Sequence, residues 1–372
     1  MTGGGTRVRV TCAVVAGCWL TASGYAQQSP PRTEVSRDRE ISCRQLLPAG
    51  GVPATWIETP DPNDRIQLAR WCETVGPVFF QQNPAAAAGE PLDRLAIVSW
   101  NIHEGGGDAD ELIRRLRLGE FTGGAPIDQF VLLLQEATRR DSAVPRRIPR
   151  GYPAPRPIVS RRDSKNADVR RFADEGLSVL YAPSMRNGEP ARGDRDQRAE
   201  DRGNAILSTL PLLEPRLVEL PLERQRRVVV VAAVEGRTSR GAPWRLDLVN
   251  VHLDTALALL HGGPFAARRR QATALLSALG VSRAQVDSER AMVLAGDFNT
   301  WRGEGEAAIR FLTDAFPATP SADQVPTWRG PLGTHATLDH VFVRGPVSPS
   351  HVVRLPSRFG SDHFPLMTVV AF

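Results

Sequence analysis

Residues 291–299, which read Ala-Met-Val-Leu-Ala-Gly-Asp-Phe-Asn, join a short apolar run to a group of polar side chains. The run Met292–Ala295 has the length and composition of a buried strand. Gly296 leads from this run to Asp297 and Asn299. Functional side chains gather at strand ends in layered α/β proteins, because loops meet there. This stretch therefore predicts a strand that delivers Asp297 and Asn299 to a functional site.

The same arrangement of an apolar run beside a polar residue recurs along the chain. Predicted strands end in Asn101, Glu136 and His252, and another strand opens with Asp339. The last predicted strand is preceded by Ser361-Asp362-His363. A single polar residue after a strand is usually a turn residue, but six such places in one chain, with Asp297 and Asn299 included, predict a shared site.

The spacing of the apolar runs predicts many short strands with interspersed helices. This alternation indicates an α/β or α+β layered domain. The predicted helices are Ala109–Leu118, Phe265–Leu279 and Glu304–Thr313. The predicted strands are Leu95–Trp100, Phe130–Gln135, Leu177–Tyr181, Ala205–Ser208, Arg227–Val234, Arg245–Val251, Met292–Ala295, Leu338–Val343 and Leu366–Val370.

The side chains at these strand ends suit metal-assisted phosphate chemistry. Carboxylate and amide oxygens without cysteine favour Mg²⁺ or Mn²⁺ over zinc. A bound divalent ion neutralises charge on a phosphate in the transition state. A carboxylate can align or deprotonate the attacking water, and a histidine held by a carboxylate can donate to phosphate oxygens.

Seven short motifs give the chain a resemblance to the endonuclease/exonuclease/phosphatase superfamily over roughly residues 92–372. That superfamily includes deoxyribonuclease-I-like nucleases, abasic-site endonucleases, neutral sphingomyelinases and inositol polyphosphate 5-phosphatases. The resemblance implies a four-layer sandwich of two packed mixed β-sheets flanked by helices, with a small N-terminal appendage. In order, the motifs are Trp100-Asn101-Ile102-His103, Leu134-Gln135-Glu136, Gly203-Asn204-Ala205-Ile206-Leu207-Ser208, Asn250-Val251-His252-Leu253, Gly296-Asp297-Phe298-Asn299, Leu338-Asp339-His340-Val341 and Ser361-Asp362-His363-Phe364-Pro365-Leu366.

The resemblance also implies which residues bind the metal ion. Glu136 is the expected principal ligand, and Asn101 lies beside it. Asp362 is expected to line the same site. The implied cofactor is Mg²⁺ or Mn²⁺.

Five further residues receive catalytic roles from the resemblance. Asp297 is expected to align or deprotonate the nucleophilic water, and Asn299 to orient the attacked phosphate. His252 and His363 are expected to contact the phosphate and stabilise its developing charge. Asp339 is expected to hold His363 by a hydrogen bond.

Three residues near the motifs are weaker candidates for contact with the substrate. Asn204 belongs to the third motif, and Trp301 and Trp328 lie near motif loops, where an indole can stack on a substrate or simply pack. His340 follows Asp339 directly and so points to the opposite face of its strand, which predicts a structural role. Residues 103–107 are interpreted as a turn, with a phosphate-cradling loop as the alternative.

Composition restricts the functional class only weakly. Hydrophobic residues make up 41% and charged residues 23% of the 372 residues, as in ordinary soluble proteins. The formal charge is +5, but Lys165 is the only lysine, so the arginine excess carries little weight for a nucleic-acid partner. Residues 138–202 hold 15 Arg and one Lys against 10 acidic residues and form a long irregular insertion. A nucleic-acid substrate stays open on this basis.

The N-terminus predicts export. Arg7 and Arg9 precede an apolar run that is too short to span a membrane, and small residues follow it, as in a signal peptide 1–26 cleaved after Ala26. The mature protein would then be periplasmic or secreted. The alternative is a lipoprotein anchored at Cys18, because Val15-Ala16-Gly17-Cys18 resembles a lipobox. No later segment reaches the length of a transmembrane helix.

Two cysteines follow the predicted signal peptide, and in an exported chain Cys43 and Cys72 predict a disulfide. Residues 27–90 are predicted to form an N-terminal appendage and linker, with an amphipathic helical pattern over Asp64–Val75. Residues 91–372 are predicted to form the catalytic domain, in a protein expected to be a monomer.

The sequence thus predicts a metal-dependent hydrolase of phosphoester bonds, either a phosphodiesterase or a phosphatase, with a nuclease among the possibilities. A phospholipid or sphingomyelin phosphodiesterase is an alternative, although no exposed apolar run for membrane docking is evident. A non-catalytic binding protein on the same fold is the second alternative.

Overall fold

The computed structural model describes residues 42–44, 46–47, 53–83, 90–146, 168–187, 199–255, 263–281, 290–323 and 325–372. All of them belong to one compact unit, Glu40–Phe372. The predicted signal peptide, Cys18 and residues 147–167 and 188–198 of the Arg-rich insertion lie outside the described residues. No helix in the described part of the chain is long and apolar enough to cross a membrane.

Alternating apolar residues produce strands along most of the described chain. The strands are β1 (Leu46–Leu47), β2 (Thr55–Ile57), β3 (Val78–Gln81), β4 (Arg94–Asn101), β5 (Phe130–Arg140), β6 (Ser178–Asn187), β7 (Glu200–Ser208), β8 (Leu213–Glu219), β9 (Val228–Arg237), β10 (Pro243–His252), β11 (Ala291–Asp297), β12 (Trp328–Arg329), β13 (His335–Ala336), β14 (Asp339–Arg344), β15 (Ser348–Pro349), β16 (Val353–Arg354) and β17 (Leu366–Ala371). The α-helices are α1 (Pro62–Cys72), α2 (Ala109–Arg117), α3 (Arg171–Asp174), α4 (Gly263–Leu279) and α5 (Ala307–Ala315).

The strands form two large mixed sheets. In the first sheet the order is β1-β3-β6-β7-β5-β4-β17-β15, with β16 paired to β17. In the second sheet the order is β14-β11-β10-β9-β8-β2. Each sheet combines parallel pairs, such as β4 with β5 and β10 with β11, with antiparallel pairs. The predicted α/β sandwich of two mixed sheets is confirmed.

Three apolar clusters show how the layers pack. The inner faces of both sheets form one cluster, to which β4 contributes Leu95 and Ile97 and β11 contributes Val293 and Ala295. The outer face of the first sheet packs against α2 and α3. The outer face of the second sheet packs against α4 and α5. Residues on each strand therefore alternate between the inter-sheet core and a helix-covered face.

The strands of the N-terminal segment extend both large sheets instead of forming a sheet of their own. β3 pairs with β6 in the first sheet, and β2 pairs with β8 in the second. A disulfide joins Cys43 to Cys72 at the end of α1, with the two Cα atoms 5.3 Å apart. The predicted disulfide is confirmed, whereas the domain boundary at residue 90 stays a prediction.

Most predicted elements lie where the sequence placed them, with shifts of a few residues at their ends. The helix predicted over Glu304–Thr313 is divided into a 3₁₀ turn at Gly303–Gly305 and α5. Glu306 separates the two because its backbone is extended, and its buried carboxylate pairs with Arg268 of α4 at 2.8 Å. The buried strand β8 was not predicted.

Candidate active site

Strand alternation brings the polar residues of four strands to one end of the inter-sheet core. Asn101 continues the inward-facing series of Leu95 and Ile97 on β4. His252, Asp297 and Asp339 lie side by side on three neighbouring strands, because the register pairs His252 with Asp297 and Asp297 with Asp339. The convergence predicted from the sequence is therefore present in the structure.

One oxygen of Asp297 is the meeting point of this group. Its Oδ2 accepts a hydrogen bond of 2.9 Å from Nδ2 of Asn101. Nε2 of His252 lies 3.6 Å from the same oxygen, and Nε2 of His363 lies 3.8 Å from it. Burial raises the pKa of Asp297 to about 7, against the lowering effect of His363. A carboxylate with such a pKa can exchange a proton near neutral pH.

Gly296 lets the strand approach its neighbour at this point. Its φ of +153° is unfavourable for other residues. A Cβ atom here would overlap the carbonyl oxygen of Val251 on β10. Glycine is therefore required directly before Asp297.

Asn299 also adopts a left-handed backbone, with φ of +52°. Its backbone N–H donates to Oδ1 of Asp297 at 2.8 Å, and its Nδ2 donates to the carbonyl of Leu253 at 3.0 Å. The side chain of Asn299 is thus buried beside Asp297 and fixed by Leu253, which directly follows β10. Strain of this kind is common at functional sites, where surrounding contacts maintain it.

His363 and Asp339 form a buried pair. Nδ1 of His363 and Oδ2 of Asp339 are 2.8 Å apart. Burial alone would lower the pKa of His363, but the charges of Asp339 and Asp297 outweigh it and raise the pKa to about 10. His363 is therefore a cation at neutral pH, with Nε2 directed towards Asp297.

His252 has the opposite electrostatic character. Burial lowers its pKa well below the ordinary value, and the charges of Arg227, Arg202 and His363 add to this effect. The site therefore combines a neutral imidazole with an imidazolium cation, and both are close to the same carboxylate.

Hydrogen bonds hold the 361–363 turn against the end of β4. Oγ of Ser361 donates to the carbonyl of Asn101 at 2.7 Å. Nε1 of Trp100 donates to the carbonyl of His363 at 3.1 Å. Because these contacts join two motifs separated by 260 residues, they fix His363 relative to Asn101.

A β-bulge directs Glu136 into the site. The pairing of β5 with β7 shifts between Leu134 and Ala137, and Glu136 has φ of +54°. Its Oε2 accepts a hydrogen bond of 3.1 Å from the backbone of Glu104, and Arg202 lies 3.7 Å from the same oxygen. Bulges commonly re-aim a side chain next to an active site.

Asp362 contacts His103 and Trp328. Oδ1 of Asp362 is 3.0 Å from Nδ1 of His103, and Oδ2 accepts a hydrogen bond of 3.0 Å from the indole of Trp328. Burial would raise the pKa of Asp362, but these hydrogen bonds and nearby histidines lower it to about 2. The charges of both carboxylates raise the pKa of His103, with the hydrogen bond to Asp362 contributing most.

The available donors fit a hard divalent cation. Asn101, Glu136 and Asp362 offer amide and carboxylate oxygens, the ligand type that Mg²⁺ and Mn²⁺ prefer. Asp297, Asp339 and His363 form a second group, with candidate ligand atoms within 4.8 Å of one another. Oδ1 of Asp339 is buried and has no hydrogen-bond partner among the described residues.

The weaker candidates occupy different environments. Asn204 is buried, and its Nδ2 donates to the carbonyl of Val228 at 2.9 Å. Trp301 is 45% exposed and packs edge-on against Trp328, with ring centroids 5.2 Å apart. Only Trp301 therefore presents a large free indole face. His340 lies 2.9 Å from Thr300 and packs against Phe298, which agrees with its predicted structural role.

Sequence reasoning missed the charged neighbours of the metal candidates. Arg202 forms an ion pair with Glu104 and also approaches Glu136. Residues 103–106 form the predicted turn, and this turn also contacts two candidate metal ligands. The backbone N–H of Glu104 donates to Glu136, and Nδ1 of His103 lies 3.0 Å from Asp362. The only signal in the sequence was the position of these residues directly beside Asn101 and Gly203.

Comparisons with known proteins found a matching family model and several similar solved structures. A model of the Endonuclease/Exonuclease/phosphatase family matches residues 98–363. A family protein from Leptotrichia buccalis C-1013-b is 13% identical, with a TM-score of 0.46 and coverage of 75% of this chain and 100% of that chain. The endonuclease/exonuclease/phosphatase from Beutenbergia cavernae DSM 12333 is 18% identical, with a TM-score of 0.45 and coverage of 76% of this chain and 72% of that chain. D. rerio TDP2 complexed with single strand DNA product is 15% identical, with a TM-score of 0.41 and coverage of 76% of this chain and 100% of that chain. No curated protein sequence matches the chain.

Proteins of the family whose model matches are generally hydrolases of phosphoester bonds, which supports a hydrolase here. Because the family model matches more than half of the sequence, the chain belongs to the endonuclease/exonuclease/phosphatase family. Enzymes of this family typically use divalent metal ions, and the acidic group around Asp297 is consistent with that use.

Proposed function

We propose that this protein is an exported, divalent-metal-dependent phosphoesterase that uses a water aligned by Asp297. The observation that carries the proposal is the convergence of Asn101, His252 and His363 on Oδ2 of Asp297. Hydrolysis of a phosphoester needs a positioned water, a proton acceptor and cations around the phosphate, and this arrangement can provide all three.

Asp297 has the role of water-aligning residue. Its pKa of about 7 lets the carboxylate accept a proton from the attacking water. Asn101 donates to Oδ2 and the backbone of Asn299 donates to Oδ1, so both oxygens have a fixed orientation. Asn299 is proposed to orient the attacked phosphate.

His363 and His252 have different proposed roles, since they differ in charge. The imidazolium of His363, held by Asp339, donates from Nε2 to a phosphate oxygen and stabilises the charge that develops there. The neutral imidazole of His252 donates one hydrogen bond to the phosphate without adding a full charge.

Glu136, Asn101 and Asp362 are proposed to hold Mg²⁺ or Mn²⁺. The ion would neutralise charge on the phosphate and orient it for in-line attack. The bulge at Glu136 and the hydrogen bond from Glu104 orient the carboxylate before any ion binds. Trp301 is the proposed contact for a part of the substrate beyond the phosphate, because its indole is exposed.

A substrate panel assayed on the metal-loaded mature protein tests the proposal. The panel contains supercoiled DNA, RNA, sphingomyelin, inositol phosphates and bis-p-nitrophenyl phosphate. We expect turnover of at least one phosphoester, abolition by excess EDTA, and recovery with Mg²⁺ or Mn²⁺. The same assay on Asp297→Asn controls for a contaminating phosphatase.

Two results would contradict the proposal. Full activity in excess EDTA would reject the metal mechanism. Phosphate binding without turnover of any member of the panel would favour the non-catalytic binding protein. Preference for sphingomyelin over the soluble substrates would instead select the lipid phosphodiesterase among the members of the proposed class.

A further inference from the structure

Two adjacent buried arginines at the start of β9 have contrasting surroundings. Arg226 is fully buried and fully paired: its guanidinium lies 2.7 Å from Glu219 and donates to the carbonyl of Pro183 at 2.8 Å. Arg227 is only 5% exposed, yet Nε is buried without a hydrogen-bond partner. No ion pair within 4.0 Å joins the Arg227 guanidinium to any carboxylate in the described part of the chain.

A buried, unpaired guanidinium is unfavourable for the folded protein. Arginine stays protonated in proteins, so it cannot escape the cost of burial by losing its charge. Buried charges are normally paired or coordinated, and one without a partner destabilises the folded state. The arrangement at Arg227 therefore indicates an anion that is bound during function and is not part of this chain.

The position of Arg227 identifies the kind of anion. Burial lowers its pKa, while the charges of Asp254, Glu136 and Asp297 act in the opposite direction. The same guanidinium is the largest charge effect on the pKa of His252. The register agrees with this placement, because Arg227 directly precedes β9 and Val230 of β9 pairs with Asn250, two residues before His252 on β10. The guanidinium makes no ion pair with Glu136, Asp297 or Asp254.

We propose that Arg227 binds a non-bridging oxygen of the substrate phosphoryl group, and this inference rests on the proposed phosphoesterase function. The guanidinium presents several N–H donors in a planar fork that matches the geometry of phosphate oxygens. Occupation of the site by a phosphoryl group gives the buried cation its partner. Arg227 is then a catalytic residue in addition to those of the seven motifs.

The backbone on either side of Arg227 is held in place. The N–H of Val228 donates to Oγ of Ser184 at 3.3 Å, and the carbonyl of Val228 accepts from Nδ2 of Asn204. Asn204, which the sequence suggested as a substrate contact, therefore holds the backbone of Val228, the residue that follows Arg227.

Thermal melting with inorganic phosphate as the probe tests the inference independently of turnover. In wild-type protein loaded with Mg²⁺, saturating phosphate should raise Tm by several degrees, because it binds only the folded state. Arg227→Met should melt without phosphate at or above the wild-type temperature, since an unpaired buried charge is removed. In Arg227→Met, the rise in Tm that phosphate causes in the wild-type protein should be lost.

Two matched variants separate this role from a general effect of removing an arginine. Arg226→Met removes the paired neighbour and should lower Tm, because Glu219 is left buried without that partner. Arg237→Met removes an exposed arginine at the far end of β9 and should keep both Tm and the phosphate effect. Arg227→Lys retains a point charge and should recover part of the phosphate effect.

Kinetics on the best phosphoester of the panel supply the second readout. Arg227→Met should lower kcat/KM by about 10²–10³-fold, as the loss of a charged donor to a transition-state oxygen does. Arg227→Lys should have a kcat/KM at least tenfold higher than that of Arg227→Met.

The outcomes distinguish the two proposals. If Asp297→Asn abolishes turnover while Arg227→Met keeps wild-type kcat/KM and the phosphate effect on Tm, the role of Arg227 is overturned and the phosphoesterase stands. If wild-type protein neither turns over any phosphoester nor responds to phosphate, both proposals fail. A lower Tm for Arg227→Met in the absence of phosphate would show that Arg227 is structural.

Discussion

Asp339 and His363 form a buried hydrogen-bonded pair of 2.8 Å across two elements that are 24 residues apart in sequence. Asp339 opens β14, and His363 follows the turn before β17. The pair connects β14 of the second sheet to the segment that precedes β17 of the first sheet. Through this contact, Asp339 raises the pKa of His363, a candidate catalytic residue.

The pair predicts strongly non-additive kinetics. His363→Ala should lower kcat by about 10²–10³-fold, because a donor to the phosphate is lost. Asp339→Ala should lower it less. The double variant should be no slower than His363→Ala, since residues that act as a unit lose their function together. Steady-state kcat values for the four proteins provide the measurement, and effects that multiply would reject the pair as a unit.

Replacement of Asp297 tests the water-aligning role. Asp297→Asn keeps the size of the side chain but cannot accept a proton, so kcat should fall by about 10²–10⁴-fold. Circular dichroism should show an unchanged fold. Asp314, on the exposed side of α5, provides a matched Asp→Asn control with wild-type kcat. Near-normal kcat in Asp297→Asn would show that the site assignment is wrong.

The disulfide should contribute measurably to stability. Cys43 and Cys72 are 29 residues apart, and closing a loop of this size is worth about 3–4 kcal/mol on the chain-entropy model. The double variant Cys43→Ala, Cys72→Ala should lose about this free energy of unfolding in urea. Reduced wild-type protein should approach the variant, and reductant should not affect the variant. Equal unfolding curves for oxidised wild type and variant would contradict the expectation.

The free energy of unfolding should decline on both sides of neutral pH, and a different histidine should cause the decline on each side. His363 has a pKa raised to about 10. Its contribution to the free energy of unfolding is therefore complete below about pH 6.5 and is lost as pH rises through 10. His340 has a pKa lowered by burial to about 4, so its contribution is present above pH 6.5 and is lost as pH falls through 4.

Urea unfolding of the metal-free protein between pH 4 and pH 10 measures both effects. His363→Gln should flatten the alkaline decline relative to wild type, and His340→Gln should flatten the acidic decline. Each variant is the control for the other. A His363→Gln profile parallel to wild type above pH 7 would show that Asp339 does not hold a charged histidine.

Local sequence patterns were sufficient for most strands and for the residue types of the site. Asn101, His252 and Asp297 each end an alternating apolar strand, so their common inward direction follows from the two-residue period. The strands β2 and β3 were missed, because short segments with little alternation acquire their identity by pairing with an existing sheet edge.

The sequence by itself determined which chemical groups this protein carries and which strand delivers each of them. Only the tertiary structure decided how those groups act on one another. The bulge that directs Glu136, the register that places Asp297 between His252 and Asp339, and the unpaired state of Arg227 all depend on contacts between distant segments. Arg226 and Arg227 are identical in type and adjacent in sequence, yet only one has a partner. The physical reason is that burial and partner distance set charge and pKa, and both are properties of the packed fold.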